Sequence, residues 1–355
     1  MLKAFKFRMY PTEEQKQQLI RTFGCARFTY NHLLKKRQKS WQQTGVANFS
    51  LTPATLKKEY PFLKEVDSLA LANAQLNLDR AFRNYFKGRA SFPKLKTKKS
   101  MWQSYTTNNQ TRTIYLENGY LKLPKQKELI KINQHRPVEG SIRSATISAR
   151  YNEEFYVALL CDVSPVKKES LAKWIGIAYH PKTLIQTSRP LEVTLPKFHQ
   201  TEEKLQHAQR KLNVKVRSAH HRKIRLDQAS NYQKQKRKVM DLYLKQKNQR
   251  EDYLEQLSGK LVKQYDYLFV ESFPKEEAHA DFSIHDWHKL ITKLRYKSQW
   301  YNKKFLLINT DGAEESNSVR KSQVVEKMGR HSVIKGYKMN ETDRSVRVSL
   351  VNKKS

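Results

Sequence analysis

Few residues in this chain have the type and placement to do covalent or metal chemistry. The apolar run Tyr267-Leu268-Phe269-Val270 ends in Glu271, a carboxylate at the tip of a buried strand. Asp281, His285, Asp286 and His288 lie close together, but their spacing matches no known ligand pattern, and capping or surface duty is the plainer reading. Cys25 and Cys161 are the only cysteines, far apart and each inside an apolar pattern. They read as core thiols of a protein in a reducing cytoplasm. Two cysteines also cannot build a four-cysteine zinc site.

Positive charge is what the chain has in quantity. Sixty-nine Lys and Arg face 33 Asp and Glu, a formal net charge of +36, and a folded protein so charged repels itself unless a polyanion compensates. Residues 211–250 hold 13 Lys and Arg against Asp227 and Asp241. A salt-bridged helix surface would carry Glu in comparable number, so this stretch, with Lys234, Lys236, Arg237 and Lys238 at its densest point, reads as a track for phosphates. Membrane binding is the weaker rival, because no run approaches ~20 apolar residues and no signal peptide starts the chain.

The elements that must position these groups follow from periodicity. In Leu2 to Met9, Phe5, Phe7 and Met9 alternate with Lys6 and Arg8 as in a half-buried strand. Thr12 with Gln15 makes a capping box, and Leu19, Ile20, Phe23, Arg27, Tyr30 and Leu34 follow at helical spacing. By periodicity alone Arg27, Tyr30 and Asn31 belong to an ordinary helix face. A second helix is expected from about Ser68 to Lys87, then a basic, proline-broken linker, Ser91 to Lys99. Short strands follow at Thr113–Leu116, Tyr120–Leu123, Leu129–Ile132, Ser141–Ala149 and Phe155–Asp162, which a small β-barrel would close, with Leu2–Met9 as a candidate to join. After a link at Val163–Leu171, the segment Trp174–Tyr179 reads as a buried strand, with a turn at His180-Pro181 and a second strand through Leu184-Ile185. Phe198–Gln264 is a long polar helical stretch. Beyond it, Tyr267–Glu271, a helix containing Trp287, Leu290, Leu294 and Tyr296, and the strand Phe305–Ile308 imply a parallel or mixed sheet. At 355 residues, two or three domains are expected.

Six motifs, in order, carry a resemblance. They are Lys6-Phe7-Arg8-Met9-Tyr10-Pro11-Thr12 with Gln15; Phe23-Gly24-Cys25-Ala26-Arg27-Phe28-Thr29-Tyr30-Asn31; Glu59-Tyr60-Pro61-Phe62-Leu63; Leu78-Asp79-Arg80-Ala81-Phe82; Ile142-Arg143-Ser144-Ala145-Thr146-Ile147-Ser148; and Leu294-Arg295-Tyr296-Lys297. From end to end the chain resembles the TnpB family, transposon-encoded RNA-guided nucleases from which type V CRISPR effectors descend. The resemblance implies an α+β multidomain protein: a β-barrel wedge domain at 1–10 and 100–165, an inserted helical recognition domain at 11–99, and a RuvC-like α/β domain at 170–355 with a basic helical insert at 198–264. It implies a guide RNA that pairs with one strand of a DNA duplex beside a short motif, so that base pairing reads the sequence. The candidate nucleic-acid contacts are Lys6, Arg8, Arg27, Tyr30, Asn31, Arg80, Lys94, Lys96, Arg143, Lys234, Lys236, Arg237, Lys238, Arg295 and Lys297.

The chain departs from the family at the catalytic positions. RuvC chemistry uses three carboxylates to fix two magnesium ions about the scissile phosphate. The first aspartate corresponds to Ala178, the glutamate to Glu271, and the last aspartate, in Thr342-Asp343-Arg344-Ser345, to Ser345. Ser332 and Lys335, before Gly336, occupy cysteine positions of the family's zinc ribbon, so 312–340 is expected to be its remnant. Asp343 is two residues off register for a rescue, and Asp311 is the other substitute acid considered. The expectation is an RNA-guided DNA-binding protein without nuclease activity, needing no metal cofactor of its own and acting as a transcriptional repressor, with oligomeric state left open. The alternatives are a residual magnesium-dependent nuclease using Glu271 and a substitute acid, and an RNA-binding relic that no longer targets DNA.

Overall fold

The computed structural model describes residues 1–46, 49–164, 172–192, 194, 196, 198–272, 281–309, 322–328 and 330, with the backbone of 347–348. Asp311, Ser332, Lys335, Gly336, Asp343 and Ser345 lie outside the described residues. The chain divides into two compact units, Met1–Ser164 and Pro165–Ser355.

In the first unit, β1 (Leu2–Tyr10) is central. It pairs antiparallel with β7 (Glu154–Asp162) on one side and β5 (Ile130–Ile132) on the other. With β2 (Trp102–Asn108), β3 (Tyr115–Glu117), β4 (Tyr120–Lys122) and β6 (Ser141–Arg150) it forms a seven-stranded antiparallel sheet in the order β2-β6-β7-β1-β5-β4-β3. Period-two patterning puts Phe5, Phe7 and Met9 inward, with Phe155, Val157 and Leu159 of β7 and Ala145 and Ile147 of β6. Among the described residues no pairing joins the end strands β2 and β3, so the expected barrel takes the form of a sheet with two edges.

Helices complete the same core. α1 (Glu13–Thr44) starts at the Thr12–Gln15 capping box, and its Leu19, Phe23, Leu33 and Leu34 are buried. After it come α2 (Pro53–Glu59), a 3-10 turn (Pro61–Glu65) and α3 (Ser68–Phe86), which Asp67 caps through the N–H of Leu69. Arg37 of α1 is buried against Asp79 of α3, with N–O 2.6 Å, and its guanidinium lies over the rings of Phe49 and Phe82. A guanidinium out of water needs such a partner.

In the second unit the order is β12-β11-β10-β8-β9. β8 (Trp174–His180) pairs parallel with β10 (Tyr267–Glu271) and antiparallel with β9 (Leu184–Thr187); β11 (Lys304–Ile308) pairs parallel with β10 and with β12 (Arg347–Val348). The near-continuous apolar sequence of β8 suits a strand covered on both faces. Ile175, Ile177, Leu268, Val270, Phe305 and Leu307 meet Leu254, Leu257 and Leu261 of α5 (Ser230–Gln264) and Trp287, Leu290 and Leu294 of α6 (Ile284–Trp300). On the opposite face, Phe269, Leu306 and Ile308 meet Val325 of a seventh helix, α7 (322–328). Part of the segment expected as a ribbon remnant is thus a helix packed on the sheet.

The polar helical stretch is two antiparallel helices. α4 (Phe198–His221) and α5 are joined by a turn in which Lys223 has φ 52°, and they share a small core of Leu205, Ala208 and Val239.

Candidate functional site

Alternation along β8 sends Ile175, Ile177 and Tyr179 to the α5–α6 side and Trp174, Gly176 and Ala178 to the α7 side. On β10 the α7 side carries Tyr267, Phe269 and Glu271. Ile177 is registered with Val270, so the next pair along these strands is Ala178 and Glu271. Both are shielded, at 1% and 0% exposure. The Glu271 Oε2 accepts the Tyr179 N–H at 2.9 Å, which turns the carboxylate back to the main chain of β8.

α7 lies directly on this face. A Cβ built on Gly176 would stand 2.1 Å from the carbonyl oxygen of Ser322 and 2.7 Å from the amide nitrogen of Glu326, so only glycine allows that approach. The Glu326 carboxylate accepts a hydrogen bond from Ser188 and lies 3.6 Å from Arg189. At the other end of the face, Trp174 stacks on Tyr267, with centroids 4.2 Å apart, and takes Arg330 on its ring.

A two-ion centre needs several converging oxygen donors. Position 178 offers a methyl group, Glu271 already accepts a backbone N–H, and among the described residues no group of three or more His, Cys, Asp or Glu can hold a metal ion. The donor set on the described residues does not fit such a centre. The second metal candidate has a structural task. Asp286 is the N3 residue of the α6 capping box, accepting the Ser283 N–H and hydroxyl, and it pairs with Arg250 at 3.0 Å. Asp281, His285 and His288 are exposed.

The candidate contacts of the first unit fall into two clusters. On the outer face of the sheet, Arg8 donates to the Tyr156 hydroxyl at 2.8 Å and lies 3.5 Å from Glu154, while Lys6 stands over the Tyr156 ring. Tyr156, Arg8 and Arg150 hold the Glu154 carboxyl in place: burial pushes its pKa up, but the Tyr156 hydroxyl and the two guanidiniums outweigh this and bring it below the usual range. The second cluster lies where α1 meets β2 and the linker. Arg27 donates to Gln103 at 3.0 Å, and both Asn31 amide atoms bond the Lys96 backbone at 2.8 Å. The Lys96 ammonium sits 4.3 Å from the Tyr30 ring centroid; burial lowers its pKa and raises that of Tyr30. These groups border a cleft of about 370 Å³ lined by Arg27, Asn77, Lys96, Gln103 and Thr106. Asn31 therefore pins the linker, and its amide is occupied. Tyr156 and Gln103, the partners of Arg8 and Arg27, escaped the sequence reading; Tyr156 is an outward position on a recognised strand, whereas nothing local distinguishes Gln103.

Arg80 and Lys94 are exposed, and Arg143, 61% exposed at its side chain, pairs with Asp162. Arg295 lies over the Phe305 ring. Lys297 corrects the sequence expectation. It is 5% exposed, and its ammonium donates to the Glu255 carbonyl at 2.8 Å and the Ser258 hydroxyl at 2.9 Å, with the Glu255 carboxylate at 2.8 Å. An ammonium has three protons, so Lys297 staples α6 to α5 and has none left for a phosphate. Lys234, Lys236, Arg237 and Lys238 are all exposed on α5.

A helix-turn-helix domain family, HTH_OrfB_IS605, matches residues 1–45. A protein of Streptomyces pristinaespiralis named "Putative RNA-guided DNA endonuclease" is 29% identical over 323 residues, covering 86% of this chain and 77% of its own length. The similarly named InsQ of Escherichia coli K12 is 24% identical over 330 residues, 84% of this chain and 78% of its own. The chain belongs to the TnpB family. A shorter relative, the virulence protein VsdF of Salmonella dublin, is 41% identical over 116 residues, 28% of this chain and 95% of VsdF. In this TnpB-family chain the span matched as helix-turn-helix folds as one strand and the single long helix α1. Among the described residues no helix is long and apolar enough to cross a membrane.

Proposed function

We propose that this TnpB-family chain is an RNA-guided, sequence-specific DNA-binding protein that lacks nuclease activity and represses transcription by occupying a promoter through a guide RNA–DNA heteroduplex. Similarity to proteins named as RNA-guided DNA endonucleases supports the guide and target. The net charge of +36 supports a polyanionic partner. The observation that carries the loss of cleavage is the pair Ala178 and Glu271: the neighbour of a buried carboxylate is a methyl group, and that carboxylate accepts a main-chain N–H. Ser345, at the place of the family's last aspartate, argues the same way from sequence.

R-loop formation is a near-balanced exchange of one duplex for another, tipped by backbone contacts. A complex that does not cut stays where pairing puts it, and polymerase competes for the same DNA. The test is to sequence the RNA that co-purifies, identify its variable end, and scramble that end with the protein intact. Transcription from the matching promoter is expected to rise to the level seen without the gene. Repression that persists after scrambling overturns the guided reading in favour of plain RNA binding.

A further inference from the structure

The α4–α5 hairpin has two different flat faces, and helical geometry assigns each Lys and Arg at 204–217 of α4 and 234–247 of α5 to one of them or to the outer edges. The seam between the helices is fixed by the buried Leu205, Ala208 and Val239 and by the hydrogen bond from Gln235 to the Ala208 carbonyl at 2.8 Å. One face is identified by the hydrogen bond from Gln209 to the Tyr243 hydroxyl. At about 100° per residue, Lys236 and Lys247 project to that face, while Arg210, Arg217 and Arg237 point to the outer edges.

The opposite face collects six lysines. Lys204, Lys211 and Lys215 of α4 share one stripe, seven and four residues apart, and Lys234, Lys238 and Lys245 of α5 share another, four and seven residues apart. Because the helices run antiparallel, the matched intervals set the lysines level across the seam as Lys215 with Lys234, Lys211 with Lys238, and Lys204 with Lys245. All six are exposed, and none has a side-chain partner among the described residues. The rows stand about one interhelical distance apart, ~8–10 Å, and run for about 16 Å at ~1.5 Å per residue. One acid, Asp241, falls in the α5 row, seven residues from Lys234 and four from Lys245, and it has an interaction of its own.

We propose that this lysine ladder is the surface on which the hairpin holds a nucleic-acid phosphate backbone. The inference rests on the reading that the chain binds nucleic acid and deepens it by naming one face. Two rows of flexible point charges grip a phosphate chain laid along the seam from both sides and read no bases. It also divides the basic run legible in sequence: Lys234 and Lys238 belong to the ladder, whereas Lys236 and Arg237 do not.

The experiment compares two variants of equal charge change in the full chain. One carries Lys211, Lys215, Lys234 and Lys238 each changed to Gln; the other carries Arg210, Arg217, Lys236 and Lys247 each changed to Gln. Glutamine keeps helix propensity, and melting curves check folding. Binding to an oligo(U) RNA and to a DNA duplex of the same length is measured across a salt series. The ladder variant is expected to flatten the slope of log affinity against log salt by about 3, since each lost phosphate contact removes ~0.7 on a single strand and ~0.9 on a duplex. The control variant should change it by less than about 1 on the same scale. The arm in which the loss appears names the backbone as RNA or DNA. Equal losses in both variants, or an unchanged slope in the ladder variant, overturn the proposal. Loss of the slope in a protein whose repression ignores the guide would keep the ladder and remove the guided reading instead.

Discussion

Ala178 stands beside Glu271 at the ends of the parallel strands β8 and β10, a methyl group next to a fully buried carboxylate. The strand geometry that would bring two acids together is therefore present without the first of them. Two buried carboxylates at such range cannot both ionise without a compensating cation. Ala178→Asp should accordingly destabilise the protein in the presence of a chelator. The sign with pH follows: the second carboxyl has a folded pKa above its unfolded one, so the penalty is absent at low pH and grows as pH rises through the carboxylate range. Melting curves of the variant against wild type across that range are the check. A melting difference independent of pH would mean the new side chain is solvated and does not face Glu271.

Gly176 carries the close approach of α7 to β8. A methyl group there meets Ser322 and Glu326 backbone, and overpacking of this kind costs about 1–3 kcal/mol. Gly24, inside α1, has nothing within 4 Å of its missing Cβ. Gly24→Ala should stabilise by about 0.5–1 kcal/mol, while Gly176→Ala lowers the melting temperature. Equal effects would mean α7 does not rest on β8.

Lys297 and Glu255 join α6 to α5, and the hydrogen bonds of such a pair contribute ~1.5–3 kcal/mol, less where one partner is half exposed as Glu255 is. Lys297→Met should lower the denaturation midpoint while leaving RNA retention at fixed salt unchanged. Lost retention in a protein of normal stability would return Lys297 to the binding surface.

The same pair sets a pH dependence. Burial pushes the Glu255 carboxyl up, but hydrogen bonds from Lys297 and Lys293 outweigh it and hold the pKa below the usual value. Its contribution is present above the unfolded pKa, about 4.3, and is lost as pH falls through the lower folded one. Glu255→Gln should therefore narrow the stability gap between neutral and acidic pH. An unchanged gap, measured by denaturant titration at each pH, would exclude this carboxylate as a source of acid sensitivity.

Much of this was legible because burial writes strong patterns. The run from Trp174 to Tyr179 reads as a strand covered on both faces, and Glu271 at the end of another such run is visible before any pairing is known. Other features leave weak traces. β2, with sequence Trp-Gln-Ser-Tyr-Thr-Thr-Asn, turns Tyr105 and Thr107 inward, so its inner face is too polar to show as apolar alternation. α2 is seven residues long and is marked only by the Thr52–Thr55 box and Pro53. The break between α4 and α5 contains neither Pro nor Gly, since Lys223 takes the left-handed conformation, and a single helical stretch was expected there. Burial of Lys297 and the linker-pinning role of Asn31 depend on partners 42 and 65 positions away, beyond the reach of any local pattern.

The central claim is binding without cutting, and one assay addresses both halves. The purified complex with its co-purified RNA is incubated with a DNA duplex matching the RNA's variable end, in magnesium and again in manganese, and each sample is divided between a native gel and a denaturing gel. The account predicts a shifted, guide-dependent complex with both DNA strands intact. Cleavage of either strand that disappears in Glu271→Ala would contradict it, showing that Glu271 still serves a metal centre with an acid supplied from elsewhere in the chain.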